Sequence, residues 1–211
     1  MTKLVWGSPG SRIYESGVDR GVLYLSGYAG IPWNGLTGVS EEPTGGGPKP
    51  YYLDGYKYIN MMSAEEFAAT IDAYTAPSEF SQCEGIAAVS NGLFATQQRR
   101  KSFGFSYRTL LGSDETEDLG YKIHIVYDAL ASTSKRSYKT LTNSPDANTL
   151  SWSITSTPKK IPGIRPTAHL VIDSTKTTPA RMAVVENYLY GAEGIDPFLP
   201  TPAQLLTIFS S

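Results

Sequence analysis

The chain has a single cysteine, Cys83, and only two histidines, His124 and His169, in 211 residues. A lone cysteine excludes an intramolecular disulfide and a cysteine-built metal site, and it suits a reduced environment. Set between Gln82 and Glu84, Cys83 has no neighbour that would activate its thiol, so it reads as a packing residue. Charge is scarce as well: 18% of residues are charged, 18 basic against 20 acidic, which leaves no electrostatic footprint for gripping nucleic acid. No stretch approaches the roughly 18 apolar residues of a membrane span. The opening MTKLVWGSPGSRIYESG lacks the apolar run of a signal peptide, so a soluble, unprocessed chain that engages no membrane is expected. Phosphate loops of the GxxxxGK or GxGxxG form are missing, since the glycines at 45–47 lead into Pro48 and not into a helix. Internal repeats, heptads and low-complexity tracts are missing too.

What is abundant is tyrosine, glycine and proline: 14, 20 and 14 residues, the composition of a β protein rich in turns. The length suits one compact domain. Residues 1–17 show no period of 2 or 3.6 and read as an extended arm, followed by the domain proper at 18–211. Val18 to Leu25 reads as a strand with Val22 and Tyr24 on one side and Leu23 and Leu25 on the other, apolar on both faces as in an interior strand. Residues 26–50 hold seven glycines and four prolines, punctuated by Trp33, Leu36 and Val39, and read as a long loop ordered against a partner. Asp54-Gly55 between Tyr51-Tyr52-Leu53 and Tyr56-Lys57-Tyr58-Ile59-Asn60 predicts a two-residue type I′ hairpin, where both turn residues need positive φ.

Further strands follow from alternation. Phe67, Ala69, Ile71 and Ala73 share one face of a strand over 65–75. Residues 102–111 and 121–130 form a hairpin around the acidic loop GSDETEDLG, and two more strands lie at 150–157 and 169–173. Spaced strands separated by turn clusters point to a sandwich or barrel. One helix is clear, at 179–190: Pro179 suits the first helical position, Met182, Val185 and Leu189 form a stripe, and Gly191 ends it. A short second helix over 202–209 would put Leu205, Leu206 and Phe209 in an apolar cluster, making the 202–211 segment adhesive.

No catalytic constellation emerges, and no enzyme is expected. His124 and His169 lie 45 residues apart without carboxylates or thiols beside them, so a core or interface histidine is the reading. The carboxylate pairs Glu41/Glu42 and Glu65/Glu66, and the run Asp114, Glu115, Glu117, Asp118, fall in loops or at strand starts and read as solvated surface, not as a glycosidase pair. GFSYR at 104–108 lacks the second glycine of a nucleophile elbow. Arg99, Arg100 and Lys101 before Phe103, Phe105 and Tyr107 resemble a single-strand binder's basic-aromatic mixture, but three charges at a strand entrance read more simply as solvated or paired. No cofactor or metal is implied.

Long strings along nearly the whole chain resemble the major tail tube proteins of long-tailed (siphovirus-type) bacteriophages infecting actinobacteria. They are WGSPGSRIYESGVDRGVLY at 6–24, GIPWNGLTGVSEEPTGG at 30–46, KPYYLDGYKYINMMSAEEFAATIDAYTAPSEF at 49–80, FGFSYRTLLG at 103–112, GYKIHIVYDALA at 120–131, WSITSTP at 152–158 and PTAHLVIDS at 166–174.

The resemblance implies a mainly β, tail-tube-type sandwich or barrel with one flanking α-helix, an extended N-terminal arm and a long inter-strand loop. It also implies a late virion structural protein that self-assembles into stacked hexameric rings, a hollow tail tube for DNA ejection. The expected partners are the chain itself, a tape measure protein in the lumen, and tail tip and tail terminator proteins. By the same resemblance, genomic DNA is expected only in transit, without specific binding, and assembly is expected in the host cytoplasm. Ring closure would pair strand edges, while stacking is a contact that propagates. Candidate inter-ring contacts are Trp6, Tyr14, Trp33, Leu36, Val39, Leu205, Leu206 and Phe209. Asp114, Glu115, Glu117 and Asp118 form a candidate acidic loop at the lumen or an interface, since alternation gives two faces without saying which is inside. A wall poor in Lys and Arg is expected, because a basic one would bind and stall DNA. The alternative reading is another virion β-sandwich, a decoration or carbohydrate-binding protein.

Overall fold

The computed structural model of the chain describes residues 3–134, 136, 138, 140 and 147–210. In chain order its strands are β1 (Ile13–Tyr24), β2 (Ile31–Pro32), β3 (Leu36–Glu41), β4 (Thr44–Gly45), β5 (Pro48–Leu53), β6 (Tyr56–Met62) and β7 (Glu65–Glu66). They continue with β8 (Ala68–Ala73), β9 (Ala87–Ser90), β10 (Leu93–Ala95), β11 (Phe103–Ser113), β12 (Gly120–Ala131), β13 (Leu150–Ser156) and β14 (His169–Asp173). Two helices close the chain, α1 (Pro179–Tyr190) and α2 (Pro202–Ser210). No helix among the described residues is long and apolar enough to cross a membrane.

The main sheet is antiparallel and runs β2-β1-β11-β12-β13-β8-β3, with β14 on β12. Its two ends are consecutive in sequence, so the sheet curls until β2 and β3 meet through the Trp33 turn. The Trp33 amide donates to the Gly21 carbonyl at 2.7 Å across this seam. A Cβ on Gly21 would lie 2.9 Å from Leu36 Cδ2 and 3.3 Å from Trp33 Cβ, so a larger residue would have to displace the Leu36 side chain where β1 and β3 approach. The curl is helped by two register shifts in β1, beside Gly17 (φ +67°) and Arg20 (φ +47°), because a bulge adds twist and bends its strand.

The barrel interior is aromatic. Trp33, Phe80, Phe103, Phe105 and Trp152 are all buried, with ring centroids 4.7 to 5.6 Å apart in tilted or edge-on pairs. Each indole N–H is satisfied: Trp33 donates to the Thr75 carbonyl at 2.9 Å and Trp152 to Glu84 Oε1 at 2.6 Å. A second core lies on the outer face, where Val22, Tyr24, Ile123, Ile125 and Tyr127 meet Met182, Val185 and Leu189 of α1 and Leu205 of α2. Buried tyrosine hydroxyls tie the layers together, Tyr24 donating to the Leu189 carbonyl at 2.8 Å and Tyr127 to that of Pro200 at 2.9 Å.

Several expectations hold in detail. The two faces of the first strand divide as read, Leu23 and Leu25 into the barrel and Val22 and Tyr24 toward the helices. The Asp54-Gly55 turn has both φ values positive, +49° and +79°, and α1 spans 179–190 with Met182, Val185 and Leu189 buried. Others are corrected. Strand β1 starts at Ile13, so only residues 3–12 lie outside a strand before it; the bulges hid its period. The 26–50 stretch is not one long loop but β2, β3, β4 and the start of β5, strands so short that the intervening glycines dominate the composition. The short second helix expected over 202–209 forms as α2 and flanks the sheet beside α1. The short hairpin β9–β10 had no expectation attached to it.

Candidate functional site: exposed apolar ribbons and a polar cluster

The residues expected at inter-ring contacts divide sharply. Trp33 sits in the barrel core and Leu205 in the second core, at 3% and 5% exposure, so neither can reach a neighbour; each fills its own fold. Leu36 and Val39 are half-buried against the barrel core, and Phe209 against the second. Trp6, at 81% exposure, and Leu206 are exposed. Tyr14 is partly exposed, with its ring over Gly112, its cross-strand partner, where an added Cβ would fall 2.5 Å from the ring. Of the acidic loop, Asp114 is engaged within its own chain. Asp114 Oδ1 accepts the Gly10 amide at 3.0 Å and its own amide donates to the Arg12 carbonyl at 3.2 Å, pinning the N-terminal segment. Glu115, Glu117 and Asp118 are exposed.

The largest apolar exposure lies elsewhere, on the hairpin β5–β6. Every residue of both strands is exposed, and among the described residues the ribbon pairs only with itself, β4–β7 forming a separate two-residue ladder at its base. Register puts Tyr51 opposite Ile59, Leu53 opposite Tyr56 and Lys49 opposite Met61, so one face is a continuous apolar stripe. Tyr52, Lys57, Pro50 and Asn60 make the opposite face more mixed. An isolated two-stranded ribbon is marginal in water, and a stripe of this kind is normally covered. The β9–β10 hairpin repeats the theme with Val89, Leu93 and Phe94 exposed. A third feature is an apolar groove between β14 and α2, lined by Ile164, Leu170, Val171, Leu205, Leu206 and Phe209. The sequence carried a signal for the ribbon, namely two apolar strands around a turn with hardly any polar alternation.

The two histidines, expected to stand apart from carboxylates, do not. At one end of the barrel interior the curl of the sheet brings Glu41 from β3 to His124 of β12 and His169 of β14. His124 Nδ1 lies 3.1 Å from His169 Nε2 and 3.3 Å from Glu41 Oε1. Tyr107 of β11 donates to Glu41 Oε1 at 2.6 Å and stacks on the His124 ring, with Phe67 against His169. On the far side of His124, Nε2 lies 3.1 Å from Thr109 Oγ1, whose hydroxyl donates to Glu15; Lys122 pairs with that same carboxylate. The bond from His124, aided by the Tyr107 hydroxyl, outweighs burial and holds the Glu41 carboxyl down at about 2. Burial pushes His169 down to about 4, against the pull of Glu41 and with the push of His124. Glu15 is held below the usual carboxylate range, the Lys122 and Thr109 bonds overcoming the effect of burial. Cys83 is fully buried, and burial pushes its thiol up to about 12, which makes it inert as read.

No protein-family model matches the chain, and none of the curated proteins does. Among solved structures it aligns with a chain of the sheath–tube complex of an extracellular contractile injection system, PVC, in its extended state. Identity there is 12%, over 73% of this chain and 88% of that one, with a TM-score of 0.42. It also aligns with a chain of the tube-terminating cap of the anti-feeding prophage, at 10% identity over 82% of this chain and 97% of that one, TM-score 0.40. A chain of the baseplate of the same particle aligns at 9% identity over 84% of this chain and all of that one, TM-score 0.41. Likenesses this remote carry no weight for function, which rests on the residues of this chain.

Proposed function

We propose that this chain is a structural subunit that polymerises with copies of itself into a hollow tail tube of stacked hexameric rings, without enzymatic activity. The observation that carries the reading is the β5–β6 ribbon, whose apolar stripe of Tyr51, Leu53, Tyr56, Ile59 and Met61 has no cover among the described residues of its own chain. Burying such a stripe is favourable in proportion to its area, and a subunit that keeps it bare in isolation is built for company. The groove between β14 and α2 supplies a concave apolar surface on the same chain. Protrusion and groove on one molecule make a heterologous contact, which propagates unless a rotation closes it.

The resemblance of the long sequence strings to siphovirus tail tube subunits supplies the rest: a virion tail component assembled in the host cytoplasm around a tape measure protein and bounded by tip and terminator proteins. Phage DNA would pass through its lumen during ejection. The low positive charge suits passage without binding, since a basic wall would release counterions and hold DNA. Negative-stain electron microscopy of the purified chain at rising concentration tests the proposal. Annular rings or channelled tubes are the expected result. Discrete small particles that stay so when tail-initiation components are added would overturn it in favour of a decoration or carbohydrate-binding module.

A further inference from the structure

We infer that Glu41, His124 and His169 form a binding site for one divalent first-row transition metal, of the zinc class, at the end of the barrel. The three donors come from β3, β12 and β14 and lie within 4.8 Å of one another. Two of the separations, 3.1 Å between His124 Nδ1 and His169 Nε2 and 3.3 Å between His124 Nδ1 and Glu41 Oε1, are edges of a coordination polyhedron. Ligands about 2.1 Å from one zinc ion stand roughly 3.0 to 3.4 Å apart, depending on whether the geometry is octahedral or tetrahedral. Two imidazoles and one carboxylate leave a fourth position for water, and Glu41, half-exposed on the outer side, marks the way in.

The surroundings of His124 fit a ligand better than a plain core histidine. The Thr109 hydroxyl is committed to Glu15, so its oxygen accepts the His124 Nε2 proton, and Glu15 stands 3.6 Å behind that nitrogen. With Nε2 committed in this way, Nδ1 is the nitrogen that His124 offers to a metal, on the side of His169 and Glu41. A carboxylate and a hydroxyl orienting the far nitrogen of an imidazole are the usual support of a metal-bound histidine. Tyr107 in turn orients Glu41.

Without metal, the two imidazoles bond to each other. Their centroids are 5.3 Å apart and their planes 15° apart, so the 3.1 Å gap lies nearly along the line of centres and is bridged by one proton. Metal replaces that proton: a swing of the His169 ring against Phe67 turns one nitrogen of each ring toward a common point, and the displaced proton passes through solvent to the other nitrogen of His169, so each imidazole binds neutral and keeps one N–H. The bound ion would then fasten β3, at the end of the sheet, to β12 and β14 in its middle.

The test uses the full chain freed of metal by chelation and dialysis, independently of whether it polymerises. Zinc is titrated by calorimetry, metal content is counted after gel filtration, and cobalt(II) replaces zinc as a spectroscopic probe. Expected are one zinc per chain, a melting midpoint that rises with zinc, and the intense visible bands of low-coordinate cobalt. His169→Gln and Glu41→Gln should each weaken binding at least tenfold; Glu41 is half-exposed, so its variant keeps the fold. No retained zinc, or zinc binding that neither substitution weakens, overturns the inference.

Discussion

Replacing Tyr56 by serine separates the stability of the subunit from its ability to associate. The side chain is 81% exposed at the tip of the β5–β6 ribbon, opposite Leu53, and contributes almost nothing to the subunit's own core. Surface changes of this kind stay within about 0.5 kcal/mol, a melting shift of roughly 1 to 2 °C for a domain of this size. In a subunit contact the same ring would leave water. A tyrosine buries on the order of 150 Å², of which the 81% still exposed here is left for a partner to cover, and at about 25 cal/mol per Å² that amounts to roughly 3 kcal/mol per contact. Since about 1.4 kcal/mol is a factor of ten, the critical concentration for tube formation should rise about a hundredfold. Light scattering and pelleting across a concentration series read the assembly, and a circular-dichroism melt reads the fold. An unchanged critical concentration would refute the assignment of the stripe to a subunit contact. A melting point lowered by more than about 5 °C would show that Tyr56 supports its own chain, removing the physical basis for that assignment.

Ile71→Ala, at a fully buried barrel position, should cost about 3 kcal/mol, read as a lowered urea midpoint with an unchanged slope. Cys83 should resist a disulfide-exchange thiol reagent in the native protein and react at once in urea, because burial removes both access and thiolate. For the chelated protein, stability should be full above pH 6.5 and fall as pH drops toward 4. There the unfolded chain protonates His169 while the folded one refuses the proton, a loss of about 3 kcal/mol over the window. His169→Gln should flatten that slope in urea titrations, leaving the separate decline below pH 4.5, where the depressed Glu41 begins to lose its advantage.

Much of the fold was legible because local chemistry decided it. The Asp54-Gly55 turn follows from the need for positive φ, α1 from Pro179, a stripe and Gly191, and the β11–β12 hairpin from uninterrupted alternation. Strands β2 and β3 were not legible, since two and six residues among glycines carry too little period, and Trp33 was misread for the same reason. A tryptophan in a glycine-rich stretch implied a partner, and the partner turned out to be the chain's own barrel. The polar cluster was hidden by topology: residues 41, 124 and 169 meet only because the sheet curls β3 back over β12. One clue was available. Ile123 and Ile125 face the helices, so His124 between them had to face the barrel interior, and an inward histidine needs polar company.

The distribution of exposed apolar surface bears on what kind of assembly can satisfy it. A symmetric dimer could bury the Tyr51–Ile59 stripe against its own copy, but it would leave the β9–β10 ribbon and the β14–α2 groove bare, since these belong to other elements. Each exposed feature left in such a dimer is a site for further copies, which is the liability a closed oligomer removes. Covering a protrusion with a groove on the next copy leaves that copy's own protrusion free, so the same contact repeats in one direction. A closed ring satisfies only contacts that return to the first subunit, and those that point along the axis continue. Two ribbons and one groove on separate elements among the described residues are therefore better satisfied by a contact that repeats than by a symmetric dimer, and that is the physical basis of the polymer proposed above.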